Sequence, residues 1–332
     1  MMGKKIVFFS LMVLLIGIWG VSTSFAEEKT YTIRIGNVTP PNNPLHQAFE
    51  RMATEMNEKS NGRIKATAYP SGQLGNLRSL TESVQMGTLE MATQSTGGLA
   101  AFYPPMGVLE LPFAYRSHQH VYKVVDGPIG QEIGEKFRKK TGIRIVAYFM
   151  NLYRHITNNV RPIKTPDDLK GLKIRVPETP TIKMAIQAAG GNPVPMVWGE
   201  VYTALQNKTV DGQENPIVII WASKIYEVQK YLSLTGHVYS PTLITINDKL
   251  YQSMTADLQK IVVNAARNAA AWNRKKLEDM EMDLLRKLKE KGVLVNDVDQ
   301  KPFRKMMITA WDELLKKAPG ARKYLDPILK TN

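Results

Sequence analysis

The stretch Tyr31-Thr-Ile-Arg-Ile35 alternates apolar and polar side chains, the period of a strand with one face buried. Asn43-Pro44 follows, an N-cap with proline at the first helical position. Leu45, Phe49, Met52, Ala53 and Met56 then recur on one helical face until Asn61-Gly62 ends the helix. A second strand, Arg63 to Tyr69, runs into the loop Pro70-Ser-Gly-Gln-Leu-Gly75. Leu77, Leu80 and Val84 mark another helix, and Leu89 to Thr93 a third strand. This β-α-β-α-β succession identifies an α/β fold with helices covering both faces of the strands.

Working outward, a strand around Arg144-Ile-Val-Ala-Tyr148 ends and the texture changes, so a new α/β unit is expected from about Leu152 to Tyr239. Within it, Thr165-Pro-Asp-Asp-Leu169 caps a short helix that Gly171 stops, and Leu172 to Val176 reads as a strand. Pro193-Val-Pro195 reads as a turn before a helix from about Gly199 to Lys208. Beyond it, Thr255 and Asp257 open a stripe of Leu258, Ile261, Val262, Ala265, Ala269 and Trp272 that Leu277, Leu284 and Leu288 continue to Gly292. That helix would be about 36 residues and ~54 Å long at ~1.5 Å per residue. One small domain cannot cover it, so it crosses two domains or carries an oligomer interface. The 332 residues are accordingly divided into residues 27–151 plus about 240–280, and residues 152–239 plus about 281–332 with the C-terminal helices.

Residues 1–26 read as a secretory signal peptide: Lys4-Lys5, the apolar run Ile6 to Val21, and Ser24-Phe-Ala26 as a cleavage site before Glu27. The run is short for a membrane span. With no cysteine in the chain, a lipid-anchored N-terminus, disulfides and thiol chemistry are excluded. The expectation is a soluble, unacylated protein of a Gram-negative periplasm. The formal charge is +14, of which the two leader lysines carry part. A basic surface attracts anionic solutes, and a secreted chain without a basic repeat gives no footprint for nucleic acid. Part of that charge is the solvated helix face Arg274-Lys-Lys276 among Glu278, Asp279, Glu281 and Asp283.

Neither GxGxxG, a phosphate-binding Gly-Lys-Ser/Thr, GxSxG nor HExxH occurs. His118 and His120 share a face of any extended segment but are two ligands at most, so neither metal nor cofactor is expected. In Asp168-Leu-Lys-Gly-Leu-Lys-Ile-Arg-Val-Pro177, Arg175 falls near the carboxyl end of a short apolar strand, on the face of Lys173 and opposite Ile174 and Val176. Ligands of α/β sheets sit beyond such ends, and a guanidinium can hold a carboxylate with two parallel hydrogen bonds. An ordinary structural arginine fits the same pattern, and the residues alone leave both readings open.

Lys170-Gly-Leu-Lys-Ile-Arg-Val-Pro177, Pro195-Met-Val-Trp-Gly-Glu-Val-Tyr-Thr-Ala-Leu-Gln206 and Val210-Asp-Gly-Gln-Glu-Asn-Pro216 resemble the TRAP transporter solute-binding family of the DctP type. Tyr69-Pro-Ser-Gly-Gln-Leu-Gly75 and Phe102-Tyr-Pro-Pro-Met-Gly-Val-Leu-Glu-Leu-Pro112 agree, so the resemblance spans nearly the whole mature chain. It implies the two-domain periplasmic binding protein fold, with mixed sheets flanked by helices. It also implies that Arg175 bridges a substrate carboxylate and that Asn215 hydrogen-bonds the same ligand. Arg154 would be a second arginine of the site, solvated by the open cleft, and Trp198 an aromatic ring against the solute. Gln94 and Ser95 are possible further contacts. With Gly98 they stand where sialic-acid binders of the family use a Glu and an Arg, which favours a smaller acid.

The resemblance further implies a monomer that delivers a small organic acid to the small and large membrane subunits of a transporter. Two other readings stay open. An enzyme acting on an acid would need a base in the cleft, and Glu178, Glu200 and Glu214 have no motif-level partner. A sensor accessory would present the ligand to a receptor instead.

Overall fold

The computed structural model describes residues 29–332; the expected signal peptide, residues 1–26, lies outside the described residues. The opening β-α-β-α-β succession is present as β1 (Tyr31–Gly36), helix Pro44–Lys59, β2 (Ile64–Tyr69), helix Leu77–Met86 and β3 (Met91–Ser95). Asn43 caps the first helix by accepting the Leu45 N–H at 2.8 Å, with Pro44 at the first helical position. Asn76 caps the second through the Ser79 N–H, and Gly87 ends it in the left-handed conformation (φ 80°).

The remaining strands are β4 (Ile143–Asn158), β5 (Lys173–Val176), β6 (Asn192–Pro195), β7 (Gly212–Pro216), β8 (Tyr231–Asn247) and β9 (Leu294–Asp297). They form one mixed sheet, in the order β2-β1-β3-β8-β4-β7-β5-β6, with β9 against β8. The two expected α/β units are therefore joined through shared strands. β1, β2 and β3 are mutually parallel, as are β5, β6 and β7, whereas β4 and β8 run antiparallel through both halves.

The register fixes how the halves face each other. β3 pairs with the Thr242–Ile246 part of β8, opposite the first half of β4, and β7 pairs with Arg154–Asn158 at the other end of β4. β3 runs toward the second lobe and β7 toward the first, so the carboxyl ends of the two parallel sets point at one another. Between them the β4–β8 ladder slips from Met150↔Pro241 to Tyr153↔Tyr239, and Leu152 takes φ 71°, a left-handed backbone that costs a branched side chain energy.

Four sequence readings are corrected here. β4 does not end near Tyr148 but continues to Asn158, because both halves of the sheet pair along it. Pro193-Val-Pro195 is not a turn but lies in β6, an edge strand where a missing N–H costs no ladder bond. His118 and His120 lie on helix His118–Asp126, where positions two apart do not share a face. The helix expected at about 199–208 is a 3-10 turn, Trp198–Glu200, followed by helix Val201–Gln206.

The long helix is Ala256–Glu290, 35 residues. Leu258, Val262, Ala265, Ala266, Ala269 and Ala270 pack in a core with Ile33, Phe49, Met52 and Phe149 of the first lobe. Leu277, Leu284 and Leu288 belong to a second core that includes Leu205, Ile217 and Ile220 of the other. Where the helix passes the slipped ladder, buried Asn273 accepts the Met150 N–H at 2.9 Å, satisfying a donor that the irregular pairing leaves without a strand partner. A third core gathers Ile174, Val176, Ile182 and Ile186 with Phe303 and Met307 of helix Gln300–Met307. The last helix, Arg322–Lys330, crosses back to the first lobe. His120 Nε2 bonds the Ile328 carbonyl at 2.7 Å and Arg116 donates to the carbonyls of Leu329 and Thr331. No helix among the described residues is long and apolar enough to cross a membrane.

Candidate functional site

Because the parallel strands of both lobes end toward each other, the chain leaving them lines a common cleft. Val38 follows β1, Ser71 and Gly72 follow β2, Ser95 closes β3, Pro177 to Thr179 follow β5, and Met196 to Trp198 follow β6. All face a cavity of about 280 Å³. The site thus sits outside strand carboxyl ends, where ligands of α/β sheets bind.

Arg175 is its deepest charge. Strand alternation sends Ile174 and Val176 into the apolar core of the second lobe and turns Arg175 to the cavity. The side chain is 3% exposed. Its Nε and Nη2 donate to the Met196 carbonyl at 3.0 and 2.6 Å, and Nη1 has no hydrogen-bond partner among the described residues. The guanidinium lies 5.4 Å from the Trp198 ring centroid, within cation–π range. Among the described residues no carboxylate forms an ion pair with it. Burial pulls its pKa down to about 9, with Glu214 opposing and Arg154 adding to the fall, so it remains a cation at neutral pH. The result is a buried positive charge held by one carbonyl and one ring, an arrangement that gains from an anion.

Arg154 is placed otherwise than the sequence suggested. It is 7% exposed, does not line the cavity, and is clasped by Glu214, with Nη2 donating to Glu214 Oε1 and the Glu214 carbonyl at 2.7 Å and to Asn215 Oδ1 at 3.0 Å. Burial works against this guanidinium, but the Glu214 charge and hydrogen bonds outweigh it and hold its pKa above the ordinary value. Glu214 is held down in turn, against its burial, chiefly by Arg154. The expectation of a cleft-solvated Arg154 fails because a buried carboxylate on the neighbouring strand takes its charge. Asn215 belongs to the same layer: Oδ1 accepts from Arg154 and Nδ2 donates to Gln213 Oε1. It too lies off the cavity lining.

Trp198, Gln94 and Ser95 do line the cavity. Gln94 is tied into the first lobe, with Nε2 donating to the Leu77 carbonyl at 3.0 Å and Oε1 accepting the Ser95 N–H at 2.9 Å. Ser95 caps helix Thr96–Leu99 by accepting the Gly98 N–H at 3.0 Å, and its hydroxyl proton donates to none of the described residues. The residue readings missed Asn76, Arg78, Phe102 and Met196 on the walls. Phe102 and Met196 lie in the motifs 102–112 and 195–206, and Asn76 and Arg78 just after the motif 69–75, but individual positions there carry no chemistry that spacing can assign. No group of three or more His, Asp or Glu among the described residues is arranged to hold a metal ion.

Residues 35–318 match the family model for DctP, bacterial extracellular solute-binding protein family 7. The chain belongs to this family. A family relative, the 2,3-diketo-L-gulonate-binding periplasmic protein of Escherichia coli, is 35% identical over 86% of this chain and 87% of its own length. A TRAP periplasmic solute-binding protein of Polaromonas sp. JS666, solved bound to D-erythronate, superposes with a TM-score of 0.87 at 35% identity, covering 91% of this chain and 99% of the other. One of Roseobacter denitrificans with bound L-galactonate gives a TM-score of 0.85 at 31% identity over 91% and 99%. The chain is a TRAP-type solute-binding protein with the two-lobed fold of these relatives.

Proposed function

We propose that this protein captures a small monocarboxylate with a hydroxylated body in the cleft and delivers it to the membrane subunits of a TRAP transporter. The observation that carries the reading is Arg175, a buried guanidinium at the cavity with Nη1 unused and no carboxylate partner. A ligand carboxylate would supply that partner, and water exclusion as the lobes close would strengthen the pair. Since Glu214 already neutralises Arg154, the deep site offers one uncompensated positive charge, which matches one carboxylate. The Ser95 hydroxyl and the Asn76 side chain suit a hydroxylated body. A cavity of about 280 Å³ lies at the small end of ligand sites, about 300–1,000 Å³. The ligands named for the three relatives, diketogulonate, erythronate and galactonate, have this chemistry.

Residues 27–151 with about 240–280 form one lobe in this reading and residues 152–239 with about 281–332 the other, the last helix, Arg322–Lys330, bonding back to the first. The mature protein is a periplasmic monomer released from its signal peptide, and it binds without turning its solute over. Asn215 and Arg154 support the site from behind the cavity. A thermal-shift screen of aldonates, uronates and dicarboxylates tests the assignment, since a ligand that binds only the folded state raises its melting temperature. Stabilisation by hydroxylated monocarboxylates is expected; stabilisation by neutral sugars alone would overturn it. Unchanged ligand mass after prolonged incubation separates carriage from catalysis.

A further inference from the structure

Behind the cleft wall lies a second buried carboxylate that the ligand site does not use. Glu110 ends the 3-10 segment Pro104–Glu110 and has no exposed surface. Its Oε1 accepts a hydrogen bond from Ser240 Oγ, and its Oε2 accepts one from Thr181 Oγ1 at 3.1 Å. No cation pairs with it among the described residues. These partners come from different parts of the molecule. Ser240 sits in β8 beside the point where the β4–β8 ladder slips. Thr181 opens helix Pro180–Ala188 of the second lobe, directly after the cleft-lining residues Pro177 to Thr179.

The carboxylate also presses on the opposite wall. A Cβ placed on Gly97 would lie 1.5 Å from Glu110 Oε2 and 2.9 Å from Thr181 Oγ1, so only glycine lets helix Thr96–Leu99 approach. That helix is capped by cleft-lining Ser95 and includes cleft-lining Gly98. One carboxyl group therefore touches the first-lobe wall, the second-lobe helix behind Arg175's loop, and the crossing strand between them.

We propose that Glu110 is a positioning residue for closure, latching the second lobe, through Thr181, onto the first-lobe wall and the crossing strand in the ligand-gripping arrangement. The inference rests on the solute-binding reading above. Opening the cleft moves Thr181 away and lets water reach the carboxyl group; closing encloses it again.

A consequence is proton uptake on closure. Burial pushes Glu110 up to about 7, against the Ser240 hydrogen bond, the Arg154 charge and the Thr181 hydrogen bond, while Glu214 adds to the rise. Tyr115 also faces it but stays protonated, since burial drives its pKa further upward. Helix Thr96–Leu99 brings no titratable group. A hydrated carboxyl group would return toward the ordinary 4.5. The closed form then binds the proton more tightly, so ligand affinity rises as pH falls through about 7 and levels off near the ordinary value. His118, His120 and His155 shift the opposite way, because burial lowers all three, His155 to about 3.

The test is calorimetric titration of the mature wild type, Glu110→Gln and Thr181→Val with sodium D-erythronate, L-galactonate and D-glucuronate at about pH 8.5 and about pH 6. Wild-type affinity should rise by up to about tenfold at the lower pH. Glutamine keeps both bonds, since each hydroxyl can donate or accept. Glu110→Gln should therefore bind at about pH 8.5 at least as tightly as the wild type at about pH 6, with no pH slope. Thr181→Val keeps the packing and loses one bond, so affinity should fall by about three- to tenfold at both pH values with the unliganded melting temperature nearly unchanged. A wild-type affinity independent of pH, a slope retained in Glu110→Gln, or native affinity in Thr181→Val would each overturn the latch while leaving the binding function standing. Failure of the wild type to bind any of the three acids would instead overturn the function on which the latch rests.

Discussion

Arg154 and Arg175 are both almost fully buried, on strands that flank β7 from either side. They differ in what surrounds the guanidinium. Arg154 meets a carboxylate on β7 and is neutralised within the fold. Arg175 meets a carbonyl, an aromatic ring and a cavity. Two arginines that the family resemblance marks alike thus differ: the first is paired within the sheet layer behind the cleft, and in the proposed function the second is the one left for a solute.

The difference can be broken most forcefully by removing each in turn. Arg154→Ala leaves Glu214 buried without its cation, a loss of about 3–5 kcal/mol. The unliganded melting temperature should therefore fall by about 10 °C. Arg175→Ala removes a charge without a carboxylate, so its unliganded melting curve should stay near that of the wild type while ligand-induced stabilisation disappears. Melting curves of both variants with and without ligand check this, and an equal loss of unliganded stability would erase the distinction.

Acid sharpens the same contrast. Glu214 titrates below its ordinary value because Arg154 outweighs its burial. Its contribution is therefore complete above about 4.5 and lost as pH falls below that. Thermal melts across acid pH should show the wild type losing more stability than Glu214→Gln in this window. Parallel pH profiles would mean that the ion pair adds nothing.

The smallest effect concerns Trp198. Trp198→Ala removes the ring beside Arg175 and should weaken binding by about 1 kcal/mol, several-fold in affinity. Its fluorescence in the wild type should change on saturation. Collapse of the fold on substitution would instead make Trp198 a packing residue.

Much of this was legible in residue order. The strand–helix rhythm, the Asn43-Pro44 cap, and the long helix to within a residue or two followed from periodicity and capping chemistry, which are local. The alternation that places Arg175 opposite Ile174 and Val176 was local too. What the sequence could not carry was pairing across distance. The continuity of β4 past Tyr148 depends on β7 and β8 lying beside it, and the edge position of β6 depends on the strand order. The fate of Arg154 depends on Glu214, sixty residues on. Glu110 reads as one acid in an apolar motif until Ser240 and Thr181 are brought against it.

The central claim is that Arg175 grips a carboxylate with its planar fork inside a closed cleft. It is tested most directly by titrating Arg175→Lys and the wild type with the acid that best stabilises the wild type. Lysine keeps the charge but loses the forked geometry, and a charge-assisted hydrogen bond contributes about 1.5–3 kcal/mol. The account predicts a loss of roughly one to two decades in affinity with the unliganded melting temperature unchanged. Native affinity in Arg175→Lys would contradict it.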